Sequence, residues 1–372
     1  MTFIILSIIY GVLLSGITLF SWGFVDANMP LSTLPFLYNL VIRQRSLATT
    51  VYVVLQMLLF GWYIVLLVLT YRRRVSLKQL IILIGITMSI LYFAFPGFSY
   101  DLFNYIATAK VTYYYRENPW LVMPIEIPNE PMLRFLHASN KVALYGPSWI
   151  LLTAIPHFLG LNNLFITIFL FKALVFSFYA ALIWQIWKIS KSAFALAFLA
   201  LNPLVTIETL VSGHNDVVMM FLALWAMILL QKRRVFWATL VLFASIFIKG
   251  ATIALTPIFF WAVIRQQRKQ KIVWDNVWFW ASISMYVIFF FSSLREEIYA
   301  WYLIWPLTFV VLMPKWSILH AITLGFSFGL PLRLAPFLYF RNWGRITPFI
   351  KKFVTFIPPA LAGFVYAIHK KR

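Results

Sequence analysis

The chain has 372 residues, of which 63% are hydrophobic, 11% are charged and none is cysteine, with a net charge of +21. That balance excludes an ordinary soluble domain, and apolar runs of the ~20 residues that a bilayer core requires recur from end to end. The expected class is therefore an all-α polytopic membrane protein. In such a chain the positive charge reads as Lys and Arg kept on the cytoplasmic side and as attraction to membrane lipids of negative charge, with no nucleic-acid partner.

The first apolar run, Phe3 to Val25, lacks a basic leader and a small-residue cleavage site and reads as a retained helix. Basic clusters then punctuate the chain: Arg72-Arg73-Arg74 with Lys78, Lys188 with Lys191, Lys232-Arg233-Arg234, Arg265 to Lys271, and Lys370-Lys371-Arg372. Assigning them to the cytoplasm predicts about twelve spans, with both termini inside. They lie near 3–25, 50–70, 79–98, 164–187, 192–211, 217–231, 235–248, 251–264, 273–293, 300–313, 317–339 and 353–368. The stretch 235–264 has basic clusters at both ends, so it crosses twice or not at all, and Lys249-Gly250 becomes a hairpin tip in the outer half of the membrane. Tyr145 to Gly160 is apolar but short and carries Pro147 and Pro156. It is read as a re-entrant or juxtamembrane helix in one long external loop, 99–163. The whole is a single transmembrane domain: N-terminal helices (1–78), a core (79–310) and C-terminal helices (311–372).

This topology puts Asp26, Asp101, Glu117, Glu126, Glu130, Glu208, Asp216, Glu296 and Glu297 at or near the external face, leaving only Asp275 elsewhere. Orientation follows Lys and Arg and largely ignores acids, so this bias is an independent observation. The same face carries Lys110, Arg116, Arg134, Lys141, Lys249, Arg295, Arg333, Arg341 and Arg345. The positive-inside rule does not explain those cations, whereas a substrate of negative charge arriving from outside does.

Two acidic motifs stand out, because a charge near hydrocarbon costs several kcal/mol. Asp101, in Ser99-Tyr100-Asp101-Leu102-Phe103-Asn104-Tyr105, heads the long loop. Capping a helix is its simplest use, yet an unusually long loop dense in Tyr and Trp points to a binding surface. In Ser212-Gly213-His214-Asn215-Asp216 one residue suffices as a cap. Three successive polar side chains exceed that need, and Glu208 lies one turn above Ser212. Lys249 either snorkels to the interface or meets a lipid-linked phosphate as a point charge. The segment Ser292 to Pro306 combines Arg295 and two acids with Trp301, Tyr302 and Trp305, residues that an aromatic belt alone also explains. His137, His157, His320 and His369 show no metal-ligand spacing, and no Gly-rich phosphate loop or Rossmann pattern is present. With no cysteine, disulfides, thiolate metal sites and thiol catalysis are excluded.

Taken in order, Asp101-Leu-Phe-Asn-Tyr105, Glu117-Asn118-Pro119-Trp120, Tyr145-Gly146-Pro147, Leu201-Asn202-Pro203, Gly213-His214-Asn215-Asp216, Lys249 and Trp301-Tyr302 with Trp305 resemble the integral-membrane C-type (GT-C) glycosyltransferases. The resemblance is greatest to the polyprenol-phosphate-mannose-dependent mannosyltransferases of bacterial envelopes. It spans roughly residues 95–310, and its specific parts are the Asp101 to Pro147 and Gly213 to Asp216 stretches. Two spans precede the family's usual start, and Trp120 stands where Tyr often follows Asn-Pro. The resemblance implies an acid in the first large external loop, matched by Asp101; the expected site as a whole is catalytic Asp101 and Asp216 with a substrate-binding set of Tyr105, Glu117, Tyr145, His214, Asn215, Lys249, Arg295, Trp301 and Tyr302. It implies a polyprenyl-phosphate sugar donor, a glycolipid or glycan acceptor, a multi-pass place in the cell membrane and an active site on the extracytoplasmic face.

The chemistry follows separately. A phosphate monoester leaving group, with a second pKa near ~6, departs without a proton. The site then needs one base for the acceptor hydroxyl and cations for the developing phosphate charge. Asp101 is the expected base, Asp216 and His214 orient sugar or acceptor, and Lys249 with Arg295 contacts phosphate; direct attack inverts the anomeric centre. Oxygen ligands on Asp101 and Asp216 suit Mg²⁺ or Mn²⁺, but relatives with monophosphate donors generally do without, so no obligate metal is expected. A flippase of lipid-linked sugars predicts ionisable groups at mid-membrane and internal repeats. A non-catalytic assembly factor predicts tolerance of Asp101→Asn and Asp216→Asn. A related enzyme that polymerises or ligates glycans from lipid diphosphate carriers is a further rival.

Overall fold

The computed structural model describes residues 3–31, 34–295, 297–344 and 346–370, and among them every regular element is helical. In chain order the main helices are α1 (Phe3–Trp22), α2 (Arg45–Tyr71), α3 (Leu77–Tyr92), α4 (Asp101–Ala109), α5 (Pro147–Leu159), α6 (Leu164–Ser190), α7 (Ala193–Ala200) and α8 (Pro203–Val211). They continue as α9 (Asp216–Gln231), α10 (Val235–Lys249), α11 (Thr256–Gln267), α12 (Trp274–Arg295), α13 (Ile304–Val310), α14 (Ile318–Gly329), α15 (Leu334–Phe340) and α16 (Thr347–Lys370). By length and composition six segments can cross a membrane: α1, α2, α6, α12, α14 with α15, and α16. The pair α7–α8, bent by 51°, makes a seventh if it is one broken span.

Helix length therefore supports six or seven crossings, fewer than the twelve expected. The other apolar segments form shorter helices such as α3, α9 and α10, which at ~1.5 Å per residue fall short of a ~30 Å hydrocarbon core. The stretch 235–264 forms α10, a 3₁₀ turn over Ala251–Leu255, and α11. The expected loop 99–163 is itself largely helical, built from α4, a π-turn over Lys110–Tyr114, two short 3₁₀ turns and α5.

Local chemistry explains the breaks that shape the centre. Between α7 and α8, Pro203 occupies the first turn of the new helix, and the Asn202 side chain accepts from the Leu204 N–H at 3.0 Å. The Asn202 amide also donates to Ser327 Oγ at 2.9 Å, tying this break to α14. Helix α3 stops at Lys172 of α6, whose fully buried Nζ donates to the Leu91 carbonyl at 2.9 Å and to that of Ala94. A donor at a helix C-terminus satisfies its orphan carbonyls, and the chain then turns toward Asp101.

At the far end, Gly325 and Gly329 lie four residues apart on α14, and a Cβ on either would collide with the Pro359 or Val354 backbone of α16. Small residues at this spacing let helices approach closely. Helix α9 is wrapped by its neighbours: Asp216 through Met220 are all fully buried. The start of α9 is thus at the centre of the protein.

Candidate active site

Asp101 is the first residue of α4, preceded by a Tyr100 that makes no side-chain cap. Its own N–H is taken by Ser99 Oγ at 3.3 Å, so the carboxylate is not spent on capping. It sits at the positive end of the helix, 27% exposed, in the wall of a cavity of about 450 Å³. Sugar-sized ligands fit cavities of this class, roughly 300–1,000 Å³. Asp101 is the one acid among the described lining residues; Lys141 and Lys249 are the cations, and Tyr145, Tyr299, Trp301, Tyr302 and Trp305 supply aromatic walls.

His214 joins this carboxylate to a second one. Its ring is fully buried, with Nδ1 3.4 Å from Asp101 Oδ2 and Nε2 3.3 Å from Glu208 Oε2. Both contacts are long, and neither is aligned as a hydrogen bond, so charge more than direction holds the ring. The imidazole stacks on Trp301 at 3.8 Å, and Tyr299 also stacks on that indole at 4.6 Å. Burial opposes the charge on His214, but the carboxylates of Asp101 and Glu208 outweigh it and raise its pKa above 6.5. For Asp101 burial also opposes charge, and His214, Lys249 and Asn104 together hold its carboxyl below the usual range.

Backbone geometry brings the two motifs together. A π-turn over Ile207–Val211 carries Glu208 and ends near Gly213, whose φ of +76° favours glycine. A Cβ there would lie 2.6 Å from Leu102 Cδ1 of α4, so the absent side chain is what lets His214 reach Asp101. Tyr105, one turn after Asp101 and fully buried, accepts from the Asn215 N–H at 3.4 Å and packs edge-on against Tyr145 at 4.7 Å. The side-chain amide of Asn215 and the Ser212 hydroxyl are buried without a protein hydrogen bond, as are Asn104 Oδ1 and Trp301 Nε1. Such groups are rare in folded proteins and mark places where chemistry or a ligand completes the bonding.

Asp216 differs from Asp101. It is fully buried and does not line the cavity. One oxygen accepts from Lys249 Nζ at 2.9 Å and the other from Trp305 Nε1 at 2.6 Å. The two aspartates thus reach one site without sharing one surface, and Asp216 acts on the cavity through Lys249 and Trp305. The Lys249 ammonium lies 5.7 Å from the Trp301 ring and 5.2 Å from that of Tyr302, at the C-terminus of α10 where Gly250 reverses the chain with φ +85°. With both Asp216 oxygens engaged and an ammonium beside them, the residues do not fit a divalent ion shared with Asp101. Among the described residues no group of three His, Cys, Asp or Glu is placed to hold a metal.

Of the other residues singled out in the sequence, Tyr145, Trp301 and Tyr302 line the cavity, while Tyr105 and Asn215 stand behind it. Glu117 lies exposed in the irregular segment after the π-turn and does not line the cavity; the chain leaves that turn through Arg116 with φ +60°. The Arg295 side chain lies outside the described residues, as does Glu296. Glu208, Asn104, Lys141, Tyr299 and Trp305 complete the site. Glu208 had a signal in the sequence, its one-turn distance from Ser212; Lys141 stood only among the many cations assigned to the external face, and Tyr299 only inside the segment Ser292 to Pro306.

A family model described as "Alpha-(1->6)-mannopyranosyltransferase, N-terminal domain" matches residues 8–265, a range that holds Asp101, Glu208, His214, Asp216 and Lys249. Comparison with curated proteins gives no match, and comparison with solved structures gives none. The matched range covers more than half of the chain, and the protein therefore belongs to the alpha-(1→6)-mannopyranosyltransferase family, a family of glycosyltransferases.

Proposed function

We propose that the chain moves a mannosyl residue from a polyprenyl-phosphate donor to a glycolipid or glycan acceptor on the extracytoplasmic face, by one direct displacement. The observation that carries this reading is that Asp101, the one acid among the described lining residues, shares an aromatic-walled cavity with the Lys249 ammonium. Asp101 accepts the acceptor hydroxyl proton as that oxygen bonds to the anomeric carbon. The anomeric carbon–oxygen bond to phosphate breaks, its electron pair stays on the phosphate, and Lys249 meets the growing charge. His214 and Glu208 hold Asp101 in place and ionised. Asp216 and Trp305 fix Lys249, while Trp301 and Tyr302 offer faces to the sugar. Attack opposite the leaving group inverts the anomeric centre, so an α product calls for a β-linked donor. Asp101 supplies the base and Lys249 the positive charge for the leaving phosphate, and no metal requirement is proposed.

Proteoliposomes supplied with polyprenyl-phosphate mannose, and separately glucose or arabinose, test this against lipid-extract acceptors. Wild type should transfer mannose, and Asp101→Asn should lose about 10²–10⁴-fold. No transfer by wild type, or normal transfer by Asp101→Asn, refutes the proposal. Sidedness is read independently: with no native cysteine, single cysteines at Glu117 and Lys141 should label from outside, and those at Arg73 and Lys269 should not.

A further inference from the structure

A second cavity, of about 390 Å³, lies against the same Trp301 and Tyr299 wall as the first. Its lining carries three cations, Arg333, Arg341 and Lys351, against two acids, Glu208 and Glu297. Glu208 is engaged with His214. Glu297 is shared, its carboxylate lying 2.5 Å from Arg333 Nη2 and 2.6 Å from Lys351 Nζ. One carboxylate thus serves two cations, and among the described residues no acid pairs with Arg341. Arg341 donates to the Val41 carbonyl, yet its Nε is buried without a protein partner. Uncompensated cations drawn together from separate elements are costly unless an anion joins them. Lys351 also lies 4.7 Å from the Trp343 ring, which stacks on Phe337 at 4.0 Å, so the cationic corner opens onto an aromatic floor. All three cations fall beyond residues 8–265, so the family match does not speak to them.

We infer that this second cavity binds a phosphate-bearing ligand, its anion held by Arg341, Arg333 and Lys351, and that this ligand is the acceptor. The assignment to the acceptor rests on the reading that the donor phosphate occupies the first cavity at Lys249. Arg341 offers a planar donor fork suited to phosphate oxygens, while Arg333, whose Nη1 and Nη2 already donate to Thr355 and Glu297, adds positive charge beside it. The acceptor's hydroxyl end then reaches toward Trp301 and Asp101, and its charged end stays among the C-terminal helices.

Binding is measured on the purified full chain in uncharged detergent, without donor, so a failure of sugar transfer leaves this test standing. The probes are dioctanoyl-phosphatidylglycerol, inorganic phosphate and octyl mannoside, titrated by calorimetry. The phosphodiester lipid should bind saturably, and Arg341→Gln with Lys351→Gln should weaken it by about 10-fold or more while leaving the uncharged mannoside unaffected. Arg341→Lys with Lys351→Arg should keep most of the binding, which separates charge from folding. Phosphate competing as well as the lipid identifies a soluble phosphate as the source; lipid binding alone identifies a headgroup. Equal binding of lipid and mannoside, or undiminished lipid binding by the Gln variant, overturns the inference.

Discussion

Replacing Lys249 by Met separates two roles that the structure gives one side chain. The ammonium donates to Asp216 Oδ2 at 2.9 Å, with the Asp216 side chain fully buried and that of Lys249 14% exposed. Without it, Asp216 keeps only the Trp305 N–H at 2.6 Å, and stranding one partner of a buried pair costs about 3–5 kcal/mol. Asp216→Asn should cost less. Its side-chain carbonyl still accepts from Trp305, and the Lys249 ammonium keeps the cavity and the faces of Trp301 and Tyr302, a contact of roughly 0.5–2 kcal/mol. Removing both charges together should recover about 1–3 kcal/mol relative to the sum of the single changes. Transfer should behave otherwise. With no ammonium for the phosphate, Lys249→Met should lose about 10²–10³-fold, and adding Asp216→Asn should not restore it. Unfolding free energies from detergent titration and initial rates in proteoliposomes supply both readouts. Additive stabilities would show that the pair is not coupled, and wild-type rates in Lys249→Met would remove the phosphate role.

The other predictions concern geometry, protonation and metal. Gly213→Ala forces a side chain into the left-handed region and toward Leu102, at about 1–2 kcal/mol for the backbone alone. Transfer should fall with it, and Leu102→Ala in the same chain should recover part of the loss, as seen in rates and unfolding. His214 has a raised folded pKa, so its contribution to stability is full below 6.5 and is lost as pH rises through the folded value. Asp101 has a lowered one, so its contribution is present above 3.8 and is lost as pH falls through the folded value. The stability gap between wild type and His214→Gln should therefore narrow on the alkaline side, as unfolding at stepped pH will show; a gap that widens there refutes the assignment. Chelation by EDTA should leave transfer intact, and loss with rescue by Mn²⁺ would refute a metal-free site.

Much of the site can be read along the chain because its residue types are rare where they stand. Ten acids among 372 residues make Asp101 and Asp216 visible, and the polar run from Ser212 to Asp216 exceeds what a helix cap needs. The break after Lys249 is legible from Gly250, whose φ of +85° suits glycine. Length is legible only coarsely: hydropathy marks α9 and α10 as apolar, but buried helices and membrane spans share that composition.

Composition by itself determined a helical membrane protein and made its few acids conspicuous, because hydrocarbon solvates neither backbone groups nor charge. Tertiary structure alone decided that Asp101 faces a cavity while Asp216 is sealed behind Lys249 and Trp305, and that His214 links Asp101 to Glu208. Those assignments depend on how α4, the turn before α9 and the end of α10 pack, and on contacts between residues about a hundred positions apart, which no local pattern encodes.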